Sequence, residues 1–281
     1  MSQGQNKQGT PRKQAGFAMV LRQNLKITKS KTLGDYPYWH LDCNAGCGYN
    51  HVADCPGSPL VFLEQAERVG REFRAFFCDN DPEAMEQLRA ATLFAVERTL
   101  SSAIRGVCCD NAVAVKLFSD WIAEDEGRPE LAIGSIIVDP NGHPNGPARE
   151  RHRKRVGYPG DTLLAALKGF LDSHRRIDLI LNLNISLFAR ARKCKDNPNT
   201  PGFDDWEDPE DVLGLKPLKA HWLVRNPSRG GKGDRFVMFI GRNTSIGMKG
   251  FEEFYPIDSH RGQLILKNLT RVEPEQGWLF D

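Results

Sequence analysis

The 281-residue chain lacks any apolar run near the roughly 20 residues that cross a bilayer, which excludes a helical membrane protein. Its mean hydropathy of -0.47 points the same way. The opening stretch MSQGQNKQGTPRKQAG has no apolar segment of the secretory kind, so no export signal is expected. Paired C-x2-C knuckles are also missing, and the seven cysteines are odd in number, which excludes a secreted disulfide scaffold. Reduced thiols in a cytoplasmic protein are the simplest expectation. An excess of one charge is missing too. The net charge is +2, so any surface for an acidic partner must be local. No internal repeat is visible. What remains is ordinary globular composition, with 40% hydrophobic and 26% charged residues in a chain long enough to bury a core unaided.

Residues 1–17 are rich in Gln, Gly, Lys and Ser, and are expected to form a flexible tail. From residue 18 onward a single α/β domain is expected, with an insertion at about 190–216. Strands are expected at 38–42, 72–78, 106–109, 133–138 and 177–183, separated by helices at about 60–70, 82–100, 112–126 and 162–173. Pro82 suits the first turn of its helix, where a missing N–H costs nothing. Apolar strands alternating with helices imply a parallel sheet covered on both faces. The segments 221–225 and 235–240 are joined by NPSRGGKGD, too short for a crossover helix, so they pair antiparallel. The expected fold is a Rossmann-like, mostly parallel sheet with helices on both faces and a terminal antiparallel hairpin.

Ligands of open α/β sheets bind outside the carboxyl ends of the strands. Here four strands end in acidic turns: Asp42 running into Asn44, Gly46 and Gly48; Asp79 with Asn80; Asp110 with Asn111; and Asp139 with Pro140 and Asn141. Any one such acid serves as a helix cap. Four in succession, one of them glycine-rich, suggest a shared ligand.

These turns resemble a class I S-adenosylmethionine-dependent methyltransferase. The stretch from Asp42 to Gly48 is similar to that family's first motif, an acid followed by Gly-x-Gly. The resemblance implies that Asp42, Asn44, Gly46 and Gly48 approach the cofactor. It implies that Asp79, beside Asn80, accepts from the ribose hydroxyls, and that Asp110, beside Asn111, accepts from the adenine amino group. Asp139 and Pro140 then open the catalytic turn, with Asn141 next. A narrower likeness is to the three-Cys-motif partner family, carried by the same acid and glycines, Gly57-Ser58-Pro59-Leu60, Asp139-Pro140-x-Gly142 and the GRNTSIGMKG stretch. It implies a methyltransferase-like protein that associates with a protein partner.

The amino-methyltransferase motif is Asp/Asn/Ser-Pro-Pro-aromatic, and Asp139-Pro140-Asn141-Gly142 keeps only its first half. A dinucleotide fingerprint fits less well, because its third glycine is replaced by His51. A cytosine-C5 enzyme would need a Cys beside a Pro at this strand end, and none is there. The group His40, Cys43, Cys47, His51 and Cys55 offers zinc-type ligands, but the glycine turn shares the stretch and no metal is assigned. The adjacent Cys108 and Cys109 read as small buried hydrophobes. Basic residues gather after the strand ends: Arg149, Arg151, Arg153, Lys154 and Arg155, and again Arg229 and Lys232. Such clusters are candidates for phosphate contact. The resulting expectation is a methyltransferase acting on DNA or RNA at a base amino nitrogen. The alternative is a non-catalytic module of the same fold that binds nucleic acid or a protein complex.

Overall fold

The computed structural model describes residues 9–29, 35–96, 103–139, 163–184, 218–225, 236–243, 251 and 253–271. Helix α1 (Gly9–Thr28) comes first, then strand β1 (Tyr38–Asp42) and a small hairpin, β2 (Tyr49–Asn50) with β3 (Cys55–Pro56). There follow α2 (Ser58–Val69), β4 (Phe73–Asp79), α3 (Pro82–Val96), β5 (Ala103–Cys108), α4 (Asn111–Glu126) and β6 (Ile133–Val138). The chain continues through α5 (Leu163–Ser173), β7 (Ile177–Asn184), β8 (His221–Arg225), β9 (Phe236–Arg242), β10 (Phe254–Pro256) and α6 (His260–Arg271).

The main sheet has the order β10-β8-β9-β7-β6-β1-β4-β5. Strands β5, β4, β1, β6 and β7 are mutually parallel. Strand β9 inserts antiparallel between β7 and β8, and β10 closes the far edge antiparallel to β8. The fold class is therefore the one the alternation of strands and helices implied. Central strands β1 and β6 are buried along their whole length, as an all-parallel centre requires.

Each face has its own core. Trp39, Phe118, Trp121 and Phe170 anchor the side covered by α4, α5 and α6. Phe17, Phe62, Phe77 and Leu88 anchor the side covered by α1, α2 and α3. Helix ends follow local chemistry. Asp110 caps α4 by accepting from the Ala112 amide at 2.8 Å, and Gly127 ends that helix in the left-handed region at φ 60°.

The N-terminal expectation needs correction. The segment 9–17 is helix and not a flexible tail, while 1–8 lies outside the described residues. The reason is visible in the spacing of Phe17, Val20, Leu21, Asn24, Leu25 and Thr28, all buried. They form one stripe at helical period, and a boundary at 17 cut through it. Asn24 accepts from Arg242 at 2.9 Å, and the same guanidinium pairs with Asp178, so α1 is tied to β7 and β9 through a buried polar contact. Cys108 and Cys109 also depart from expectation, being exposed and half-buried. They stand at the edge strand, where one flank has no neighbouring strand among the described residues. The expected insertion at 190–216 lies outside the described residues.

Phe17 is fully buried against the sheet. Phe17→Ala is expected to cost about 3–5 kcal/mol of stability, read as a fall in the urea midpoint at unchanged slope. A solvated tail would leave that midpoint where it was.

Candidate functional site

Strands β1 and β6 lie side by side, yet α2 after β1 covers one face and α5 after β6 covers the other. That reversal opens a crevice at their carboxyl ends. In sheet order the rim there carries Asp110 after β5, Asp79 on β4, Asp42 on β1, Asp139 after β6 and Asn182 on β7.

The turn after β1 is threaded between its neighbours. The Cys43 amide donates to the Ile137 carbonyl at 3.0 Å and the Ala45 amide to the Cys78 carbonyl at 2.9 Å. Gly46 and Gly48 then take φ values of 58° and 80°, a left-handed conformation that side chains disfavour. The Gly46 amide donates to Asp79 Oδ2 at 2.9 Å, and the Asp81 amide donates to the other oxygen at 3.1 Å. Asp79 thus braces both its own turn and the glycine turn. Each of its oxygens keeps a second lone pair. The Gly57 amide donates to the Gly48 carbonyl at 2.7 Å, closing the base of the β2–β3 hairpin at the start of α2.

Asp42 is completely buried. One oxygen accepts from the Asn44 amide at 3.0 Å, while Oδ2 has no hydrogen-bond partner among the described residues. Burial raises its carboxyl to about 7; the Ser58 hydroxyl and Asn44 amide pull it down, and the charges of Asp139 and Asp79 push it up. An orphaned buried oxygen beside two left-handed glycines fits the acid-and-glycine end of a small-molecule site.

Asp139 is held from three directions. Its amide donates to Asn44 Oδ1 at 3.1 Å. Asn182 Nδ2 donates to its Oδ1 at 2.8 Å, and Lys13 Nζ pairs with its Oδ2 at 2.6 Å. The lysine also lies over the Phe236 ring, 5.1 Å from its centroid. Asn182, in a buried strand, was a readable polar interruption of the apolar run IDLILNL. Lys13 gave no comparable sign, since it stands among other polar and basic residues in a stretch taken for tail.

The structure therefore joins Asp42, Asn44 and Asp139 in one set of hydrogen bonds and Gly46 with Asp79 in another, while Gly48 bonds to Gly57 at the foot of the small hairpin. Asp110 stands in the neighbouring turn as the α4 cap, with Asn111 half-buried beside it; Asn80 is exposed. Pro140, Asn141, Arg149, Arg151, Arg153, Lys154, Arg155, Arg229 and Lys232 lie outside the described residues. Among the described residues no group of three or more His, Cys, Asp or Glu is placed to share a metal ion. His40 is instead stacked on Phe62 at 3.9 Å inside the core, with Nδ1 against the Ser135 hydroxyl.

A carboxyl raised on folding makes stability fall with pH. The folded protein keeps a proton on Asp42 that the unfolded chain, with a carboxyl at 3.8, has released. That contribution is full below the unfolded value and is lost as pH rises from about 4 to about 7. Asp42→Asn is expected to flatten the curve there by up to ~1.4 kcal/mol per pH unit, measured by urea unfolding of both proteins across that interval. Parallel curves would mean that Asp42 does not titrate there.

The sequence matches no family model and no curated protein. Solved structures do resemble the chain at low identity. An rRNA methylase of Streptococcus thermophilus has 9% identity and a TM-score of 0.40, over 80% of this chain and 96% of that one. A precorrin-6y C5,15-methyltransferase of Geobacter metallireducens has 11% identity and a TM-score of 0.38, over 81% and 87%. A methyltransferase of Geobacter sulfurreducens has 12% identity and a TM-score of 0.39, over 81% and 78%. Likenesses this distant identify neither an activity nor a substrate.

Proposed function

We propose that the protein is an S-adenosylmethionine-dependent methyltransferase acting on nucleic acid at a base amino nitrogen. The observation that carries this reading is the bond from the Gly46 amide to Asp79, which fixes a left-handed glycine turn against the next strand's acid at the switch point of the sheet. The bound cofactor supplies an electrophilic methyl group on a sulfonium. Gly46 faces open space and leaves room for close approach, Gly48 lets the turn pack against Leu88 of α3, and Asp79 retains lone pairs for the ribose hydroxyls. Asp110, in the neighbouring turn, would accept from the adenine amino group.

Asp139 is aligned by Asn44, Asn182 and Lys13 before any substrate arrives. A second lone pair on either oxygen accepts from the acceptor's amino hydrogen, which turns the nitrogen lone pair toward the methyl. Lys13 holds that carboxylate in place. Support for a nucleic-acid substrate comes from the sequence: the basic clusters at 149–155 and 229–232 flank this rim in the chain.

One observation favours a second reading, a non-catalytic module of the same fold. Both oxygens of Asp139 already have donors, and an acceptor amine has to compete for the remaining lone pairs. Methyl turnover separates the two readings. The narrower likeness to the three-Cys-motif partner family, with its implied protein partner, rests on the sequence motifs alone.

The test is calorimetric titration of the full chain with S-adenosylmethionine, followed by transfer of a labelled methyl group to DNA and RNA. The parent is expected to bind in the micromolar range, and Asp79→Asn at least about tenfold more weakly. A folded parent that gives neither heat nor a thermal shift sinks the methyltransferase reading. Binding without transfer to either nucleic acid leaves the module reading in place.

A further inference from the structure

One residue before Asp79 and one before Asp110, the same two strands bring a pair of cysteines together. Cys78 and Cys109 are free thiols with their Sγ atoms 3.6 Å apart. The β4–β5 register sets Cys78 opposite Val107, so Cys109, two residues further on, projects from the same face of the sheet. Cys108 projects from the other face. The ladder continues past the end of β5, because the Cys109 amide donates to the Asp79 carbonyl at 3.1 Å. The Cys109 carbonyl lies 3.2 Å from the Cys78 sulfur and is a second acceptor within reach of its single S–H.

Cys78 is buried and Cys109 half-buried, so a reagent from solvent meets Cys109 first. The two thiols are unequal in acidity as well. The S–H of Cys78 supports negative charge on the Cys109 sulfur, holding the Cys109 thiol below its ordinary value and that of Cys78 above it. One thiol is thus the nucleophile and the other the proton-bearing partner.

We propose that Cys78 and Cys109 form a dithiol that hydrogen peroxide oxidises to a disulfide, and that this closure weakens the adjacent cofactor site. The second half rests on the reading given under Proposed function; the first half does not. The Cys109 thiolate attacks one peroxide oxygen, the O–O bond breaks, and the departing oxygen takes a proton as water. Cys109 is then a sulfenic acid. The Cys78 sulfur attacks it, the S–S bond forms, and the Cys109 oxygen leaves as a second water with the Cys78 proton. Two thiols have lost two electrons, and the hydrogen peroxide has gained them. Closing the pair from 3.6 Å to about 2 Å draws the ends of β4 and β5 together. Asp79 and Asp110 follow directly in the chain and move with them.

The experiment treats the reduced full-length protein with hydrogen peroxide, blocks the remaining thiols and maps the peptides. The parent and Cys108→Ser are both expected to yield a Cys78–Cys109 linked peptide. Cys78→Ser is expected to stop at a sulfenic acid on Cys109 that a diketone probe captures. The affinity for S-adenosylmethionine should fall about tenfold in the oxidised parent and return with dithiothreitol. Blocked, unlinked Cys78 and Cys109 in a protein whose exposed Cys108 has been oxidised would overturn the dithiol. A linked peptide with unchanged affinity overturns the effect on the cofactor site. A reduced parent that binds no cofactor sinks the methyltransferase reading instead, and the peptide map alone then decides the dithiol.

Discussion

Holding the carboxylate of Asp139 at the rim of a buried sheet requires a donor for each of its oxygens, and meeting that requirement joins segments far apart in the chain. Asn182 reaches it from β7 and Lys13 from α1, while the Asp139 amide holds Asn44 in the glycine turn. Removing any one of the three leaves a polar group short of a partner in a half-buried place, which costs more than the contact itself returns. The N-terminal helix is therefore part of the rim as well as of the core beneath it. Its lower end is held by Phe17, Leu21 and Leu25 against the sheet, and by Asn24 on Arg242. Its upper end is held by the ion pair.

Asp42 shows the opposite solution to the same problem. It is more deeply buried than Asp139, yet one of its oxygens has no hydrogen-bond partner among the described residues. Desolvation answers by favouring the protonated carboxyl. Two acids on neighbouring strand ends are thus treated differently by their surroundings, one held by the Lys13 ion pair and one drawn toward neutrality by burial. The turn that follows Asp42 places both glycines in the left-handed region, which glycine adopts without the clash a side chain would meet.

Much of this was legible in the sequence because the relevant periods are strong. The central strands were bounded within a residue or two, since a parallel sheet demands uninterrupted apolar stretches such as IGSIIV. The order of acidic turns placed Asp42, Asp79, Asp110 and Asp139 on one rim as soon as the strands were taken to be parallel. Helix α1 was missed for a definite reason. Its buried stripe starts with the polar Thr10 and Gln14 and turns apolar only at Phe17, so the polar composition of the first residues set a boundary inside it. Composition averages over a window, whereas burial of a helix face depends on every third or fourth residue. Lys13 went unseen with it, because nothing local marks one lysine among several as the partner of an acid 126 positions away. Strand β10 is only three residues long and contains a proline, which suits a sheet edge but gives no periodic signal.

The unequal treatment of the two sheet edges bears on how the rim can respond to its surroundings. On the β9 side, β8 and β10 extend the sheet, and α6 packs Ile265, Leu266 and Leu269 into the core. On the other side β5 is the last strand among the described residues, half-buried or exposed along its length, with the Arg105 guanidinium laid over Trp121 as a cover. An edge strand has ladder hydrogen bonds on one flank only, so its carboxyl end is the part of the rim least constrained by neighbours. Asp110 sits there, and so does Cys109, against Cys78 on the better-fixed β4. Asp139 and Asp42, by contrast, lie at the centre of the sheet with a strand on both sides. A change in the separation of β4 and β5 would therefore alter the Asp79–Asp110 end of the crevice while leaving the Asp139 clamp intact. In physical terms the rim is a rigid centre with one adjustable end, and the paired thiols lie at that end.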